Sequence, residues 1–68
     1  MATVTLNVKG MSCGHCVKAI EGALGELNGV ERALVDLQGG TVTVEYREES
    51  VSVDQMKEAI EDAGYDVA

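Results

Sequence analysis

The sequence predicts an α+β fold in which one four-stranded antiparallel sheet carries two helices on the same face. The period of its apolar residues switches between 2 and 3.6 along 68 residues, in the order strand, helix, strand, strand, helix, strand. The second half of the chain repeats the plan of the first half. Two such units with right-handed crossovers interleave into a ferredoxin-like βαββαβ sandwich. Nothing resembles a linker, so we expect a single domain over residues 1–68.

The first half of the chain predicts a strand, a helix and a second strand. From Thr3 to Lys9, apolar and polar residues alternate, which is typical of a half-buried strand. After Gly10 the period becomes helical, and Asn28-Gly29 supplies a stop signal. The apolar positions of this helix are Val17, Ile20, Leu24 and Leu27. The inward-facing positions of the strand that follows are Ala33, Val35 and Leu37.

The second half predicts a hairpin, a helix and a short last strand. Gly39-Gly40 turns the second strand into a third one. Ser52 and Gln55 form a capping box, so a second helix begins there and ends at Gly64. An edge strand over residues 65–67 closes the chain. The inward-facing positions are Val42, Val44 and Tyr46 in the third strand and Val53, Met56 and Ile60 in the helix.

The alternating directions of these elements bring three loops to one end of the molecule. If the first strand runs upward, the turn 10–14, the hairpin 39–40 and the joint 64–65 all lie at the top. That end holds both cysteines of the chain, Cys13 and Cys16, with Tyr65 as an expected neighbour.

The charge distribution excludes some classes of partner. The net charge is −7. The whole excess lies in residues 35–68, which contain nine acidic residues and only two basic ones, Arg47 and Lys57. Such a surface repels phosphate, which argues against binding to nucleic acid or to an anionic membrane. A partner held by charge should therefore be basic.

The sequence also bears on location. No apolar run approaches the ~20 residues that cross a bilayer, and Met1–Gly10 lacks the basic start and apolar core of a secretion signal. We therefore expect a soluble, cytoplasmic protein. Cysteines in that compartment are kept reduced, which favours metal or redox chemistry for Cys13 and Cys16 over a structural disulfide.

The two cysteines stand three residues apart where a loop passes into a helix. The helix N-terminus, with Lys9 and Lys18 nearby, favours thiolates over thiols. A closed zinc site needs four ligands, and Cys13, Cys16 and His15 supply fewer. Two thiolates suit copper(I), and an open site leaves room for an incoming thiolate.

A redox dithiol is the alternative in another functional class. The tetrapeptide Cys13-Gly14-His15-Cys16 matches the active-site tetrapeptide of disulfide isomerases. The thioredoxin fold, however, needs a longer chain and a proline packed against the dithiol, and this sequence has no proline. Thiol–disulfide exchange therefore stays the second reading of the pair.

The residues around the cysteines also resemble a known family. The segment Gly10-Met11-Ser12-Cys13-Gly14-His15-Cys16, followed by Gly29-Val30 and Gly64-Tyr65, is similar to the heavy-metal-associated domain, and especially to its small bacterial copper chaperones. The likeness covers essentially the whole chain. It implies a ferredoxin-like fold, copper(I) bound by Cys13 and Cys16, and delivery to the N-terminal metal-binding domains of a copper-transporting P-type ATPase.

The resemblance also bears on enzyme activity and assembly. A carrier of this kind makes and breaks no bond in a substrate, so it is not an enzyme. We expect a monomer without copper, and a copper-bridged dimer of loaded molecules stays open. A metal-binding domain cut from a copper ATPase carries the same motif, so that origin also stays open.

Residues near the cysteines have simple structural roles as well. We expect Met11 to pack beneath the loop, Ser12 to cap the helix and His15 to be solvated. Tyr65 caps the core, which is compatible with shielding a metal, and contact of His15 or Tyr65 with the ion stays open. The acids near the joint form a solvated face, or they steer docking: Glu58, Glu61, Asp62 and Asp66.

Overall fold

The computed structural model describes residues 1–11 and 14–67, and the four strands in this part of the chain form one sheet. The elements are β1 (Ala2–Lys9), α1 (Gly14–Gly25), β2 (Val30–Asp36), β3 (Thr41–Tyr46), α2 (Val53–Asp62) and β4 (Asp66–Val67). The strand order is β2-β3-β1-β4, and neighbouring strands are antiparallel. The predicted ferredoxin-like α+β fold is confirmed.

The core lies between one face of the sheet and both helices. Leu6 and Val8 of β1 are buried on this face, while Thr3 and Thr5 are exposed on the other, as the strand alternation predicts. Because residues of α1 and α2 belong to the same apolar cluster as Leu6 and Val8, both helices lie on that face. The largest fully buried side chains are Ile20, Leu24, Val42, Val44, Met56 and Ile60.

The first helix is shorter than the sequence predicts. α1 ends at Gly25, whereas the stop signal was placed at Asn28-Gly29. Beyond it, the Leu27 N–H donates to the Leu24 carbonyl at 3.1 Å, which is a three-residue turn rather than a helical bond. Glycine costs about 1 kcal/mol in a helix relative to alanine, so Gly25 favours this early end. Leu27 still packs against the core from the turn.

The prediction that Leu37 faces inward is wrong. β2 ends at Asp36, and Leu37 lies in the hairpin turn with 38% of its surface exposed. The turn is set by Asp36, whose carboxylate Oδ1 accepts a hydrogen bond from the Gly39 N–H at 3.1 Å. A side chain that bonds its own backbone in this way competes with the strand, which therefore stops one residue early.

The capping box at the start of α2 is confirmed. The Gln55 N–H donates to Ser52 Oγ at 3.2 Å, and the Ser52 N–H donates to Gln55 Oε1 at 2.9 Å. Both bonds satisfy backbone N–H groups that have no partner within the helix, so the helix begins at a defined residue. Of the helices in the described ranges, neither is long and apolar enough to cross a membrane.

Candidate metal centre

The predicted convergence of loops at one end of the sheet is confirmed for the described residues. The Val8 N–H donates to the Gly40 carbonyl at 2.8 Å, which places the hairpin beside the end of β1. The Tyr65 ring lies beside Gly10, since a methyl group added at Gly10 would be 3.8 Å from Tyr65 Cδ1. The turn after β1, the hairpin and the joint before β4 therefore share one end of the molecule.

Cys16 is the described thiol at this end. It is the third residue of α1, and only 6% of its surface is exposed. The thiol donates to the Gly10 carbonyl oxygen across an Sγ–O distance of 3.9 Å. Cys16 is thus held against the turn that leads from β1 into the helix.

Cys13 and Ser12 lie outside the described residues, as does Ala68. In the sequence, Cys13 directly precedes Gly14, at which α1 begins. The pairing of Cys13 with Cys16 and the capping role of Ser12 stay predictions. Within residues 1–11 and 14–67, no three histidine, cysteine or acidic side chains come together as a group that could hold a metal.

The N-terminal turn of α1 is electrostatically suited to thiolates. A helix N-terminus carries a partial positive charge, which stabilises anions placed in the first turn. The described helix has no acidic residue in that turn to offset this charge. His15, between the two cysteines in sequence, is exposed, as predicted. Lys18, one turn further, is also exposed.

Met11 and Tyr65 border the turn from the side of the core. Met11 is half-buried and packs against the apolar cluster, which confirms that it belongs to the edge of the core. Tyr65 is also half-buried and packs against the same cluster, as a core cap should. Both residues therefore link the cysteine-bearing turn to the core.

The position of Tyr65 follows from the way α2 ends. The Gly64 N–H donates to the Glu61 carbonyl at 2.9 Å, and the Tyr65 N–H donates to the Ile60 carbonyl at 3.2 Å. This pair of bonds, with Gly64 at a φ of 101°, is a Schellman motif. The motif turns the chain sharply, so the residue after Gly64 packs back over the helix end.

Gly10 is the residue of the site to which sequence reasoning assigned no role. Its carbonyl accepts from Cys16 and its α-carbon faces the Tyr65 ring. Its φ of 91° lies in the left-handed region, which side chains other than hydrogen disfavour. The signal in the sequence was a glycine at the end of a strand, just before the motif.

The acidic residues expected near this end are exposed. Glu61 and Asp62 stand at the end of α2, and Asp66 begins β4, on either side of the Gly64-Tyr65 joint. Glu58 is exposed one turn earlier in the helix. Among described side chains, the ion pair is Arg47 with Glu31, whose Nε–Oε1 distance is 3.0 Å, and it involves none of these four acids.

The fold and this arrangement agree with what the sequence matches among known proteins. The model of the heavy-metal-associated domain matches residues 5–66. The chain belongs to the heavy-metal-associated domain family.

Individual relatives are similar over almost their whole length. The copper chaperone CopZ of Staphylococcus haemolyticus is 60% identical over 67 residues, which span 98% of this chain and 98% of that protein. The solved structure of a CopZ metallochaperone has a TM-score of 0.97 at 54% identity, covering 98% of this chain and 100% of that one.

A domain of a larger protein is similar as well. The N-terminal domain of a potential copper-translocating P-type ATPase from Bacillus subtilis, solved in the Cu(I)-loaded state, has a TM-score of 0.91 at 37% identity. The match covers 96% of this chain and 81% of that one. The same fold therefore occurs both in small carriers and in a domain of a transporter.

Proposed function

We propose that this chain is a cytoplasmic copper(I) chaperone that binds the ion through Cys13 and Cys16 and passes it to a copper-transporting P-type ATPase. Membership of the heavy-metal-associated domain family supports metal binding, and the relatives named for copper support the choice of ion. The observation that carries the proposal is the placement of Cys16 in the first turn of α1, at the end that the three loops share.

The chemistry of the cysteine pair supports copper(I) over zinc(II). Thiolates are soft ligands, and copper(I) accepts two of them, whereas zinc favours four ligands in a tetrahedron. Two ligands leave the ion accessible from the side of the solvent. A carrier needs this access because its cargo must leave as readily as it arrives.

Transfer proceeds by ligand exchange. A thiolate of the partner adds to the two-coordinate ion to give a three-coordinate bridge, and either Cys13 or Cys16 then leaves. The second thiolate of the partner's pair adds in the same way, and the remaining cysteine of this chain leaves. Copper stays in the +1 state throughout, and each new Cu–S bond replaces an old one. The protein acts as a carrier rather than an enzyme.

The sequence left open a redox dithiol protein and a domain cut from a copper ATPase. We favour the copper chaperone over both. The match to a copper chaperone spans 98% of this chain and 98% of that protein, which supports the role of a chaperone over that of an ATPase domain. The N-terminal metal-binding domains of a copper-transporting ATPase are the proposed receivers, because such a domain of the same fold has been solved in the Cu(I)-loaded state.

A copper titration tests the function. Copper(I) is added to the reduced protein in the presence of a chelating competitor, with zinc(II) run in parallel. We expect one copper(I) per chain and much weaker zinc binding. Zinc held more tightly than copper would contradict the proposal, and so would reduction of insulin at the rate of a true disulfide isomerase.

We expect the acidic residues near the site to speed docking of a basic partner domain. In the double variant Glu61→Gln/Asp62→Asn, two exposed charges beside the joint are lost, and we expect transfer to a basic domain to slow by up to about tenfold at low salt. Copper affinity should not change, since neither residue is a proposed ligand. Exposed charges act over about 8 Å at physiological salt, so high salt should remove the difference.

The matched control removes the same charge from the other end of the sheet. Glu48 and Glu49 are exposed just after β3, which ends opposite the start of β1. In Glu48→Gln/Glu49→Gln, stopped-flow transfer rates should stay close to the parent's. Equal slowing in both double variants would show that net charge, rather than its position, matters, and two unchanged rates would show that the acids do not steer docking.

A further inference from the structure

The C-terminal end of α2 is connected to Cys16 through a short series of contacts. Gly64 closes the helix in a left-handed conformation with a φ of 101°, and the two Schellman bonds fix Tyr65 after it. The Tyr65 ring lies beside Gly10. The carbonyl of Gly10 in turn accepts from the Cys16 thiol.

Gly64 is important in this series because of its backbone conformation. An added methyl group at Gly64 would meet no atom within 4 Å, so replacement by alanine creates no steric clash. The left-handed conformation itself is costly for a residue with a β-carbon. Substitution at Gly64 therefore perturbs the turn into Tyr65 while removing no side-chain contact.

Cys16 is buried and bonded to the residue on which Tyr65 packs. Only 6% of Cys16 is exposed, its thiol donates to the Gly10 carbonyl, and the Tyr65 ring lies beside Gly10. An alkylating reagent has to reach this sulfur, and an incoming thiolate has to reach an ion bound to it. The interactions that hold Tyr65 against Gly10 therefore determine how often Cys16 becomes accessible.

We propose that Gly64 is a positioning residue for copper exchange: its left-handed conformation holds Tyr65 against Gly10 and so limits the access of other thiols to Cys16. The role in exchange rests on the proposed copper function. The effect on access to Cys16 is a property of the chain without metal. The two parts can therefore be tested separately.

The metal-free test measures alkylation of Cys16 by iodoacetamide. In a Cys13→Ser background, Cys16 is the remaining thiol of the chain. Adding Gly64→Ala should raise its alkylation rate about 5- to 30-fold, because the strain in the left-handed conformation favours opening of the turn by that factor. An unchanged rate would overturn the proposal.

The matched control weakens the other end of the same helix. Ser52→Ala removes the N-cap, at a cost of the same order as the strain at Gly64. Both variants should lower the urea midpoint to a similar extent, but Ser52→Ala should leave the alkylation rate near that of its background. An equal rise in both variants would show that Gly64 acts only on global stability.

A double-mutant cycle shows whether Gly64 acts through Tyr65. Tyr65→Ala alone should speed alkylation, and adding Gly64→Ala should produce little further change, since the two residues belong to one series of contacts. Independent, multiplying effects would overturn the role assigned to Gly64.

Copper exchange is then measured in chains that keep both cysteines. Loss of copper(I) from Gly64→Ala to a chelator should be several-fold faster than from the parent, while Ser52→Ala should behave like the parent. If the parent binds no copper but the alkylation results hold, the proposed function fails and the control of access stands. If copper binds and both variants exchange like the parent, the role in exchange is wrong.

Discussion

Replacing either proposed ligand, in Cys13→Ser or Cys16→Ser, is expected to remove nearly all copper(I) binding in competition with a chelator. A hydroxyl is a hard, neutral donor at neutral pH and replaces a soft thiolate poorly. With two ligands in total, the remaining thiolate cannot hold the ion alone. The apo fold should survive in both variants, because the apolar cluster between the sheet and the helices contains neither of the two proposed ligands.

Met11→Leu is the matched control for the loss of a sulfur ligand. It removes a thioether beside the turn and keeps the apolar volume that packs on the core. Copper affinity measured in the same competition should equal the parent's. A double Cys13→Ser/Cys16→Ser variant that retained copper, or a Met11→Leu variant that lost it, would contradict the assignment of ligands.

Removing the side chain of Ile60 should cost about 2–5 kcal/mol of unfolding free energy in Ile60→Ala. Ile60 has no exposed surface and belongs to the cluster that joins α2 to the sheet and α1. For 68 residues, the total stability is about 3–10 kcal/mol, so the variant should be partly or wholly unfolded at 37 °C. Urea unfolding followed by circular dichroism measures the loss.

Leu34 offers a control with a similar side chain. It lies on the face of the sheet away from the helices, and 47% of its surface is exposed. Leu34→Ala should change the unfolding free energy by no more than about 0.5 kcal/mol. Similar losses in both variants would mean that the open face of the sheet is covered in solution.

The architecture could be predicted from the sequence because each element carries a local signal that agrees with the whole. Alternation in β1, the glycine hairpin and the capping box of α2 each depend on neighbouring residues. The last strand begins at Asp66 rather than at residue 65. The other two differences lie where local signals compete. Gly25 ended α1 before the stronger stop signal, and the Asp36 carboxylate drew Leu37 into the turn instead of the strand.

The sequence predicts which residues belong to the candidate site, but it does not predict the contacts among them. The motif indicates Cys13 and Cys16 as candidate ligands, and the alternating directions of the elements place Tyr65 at the end of the molecule that holds Cys16. The role of Gly10 depends on contacts with residues six and fifty-five positions away, which no local pattern encodes. Such a role follows from the backbone conformation at Gly64 and Gly10 together, and in the sequence these positions are simply two of eight glycines.

The position of β1 between β3 and β4 has a consequence for synthesis on the ribosome. β1 emerges first, but its register with β3 pairs Ala2 with Tyr46, so it has no neighbour in the sheet until that stretch has been made. Tyr65 follows later still, in a chain that grows by about 5–20 residues per second. Cys16 and Gly10 are both made early, but the contact of Tyr65 with Gly10 forms only after residue 65 has been made. The end that carries the cysteines is the last part of the molecule to be completed.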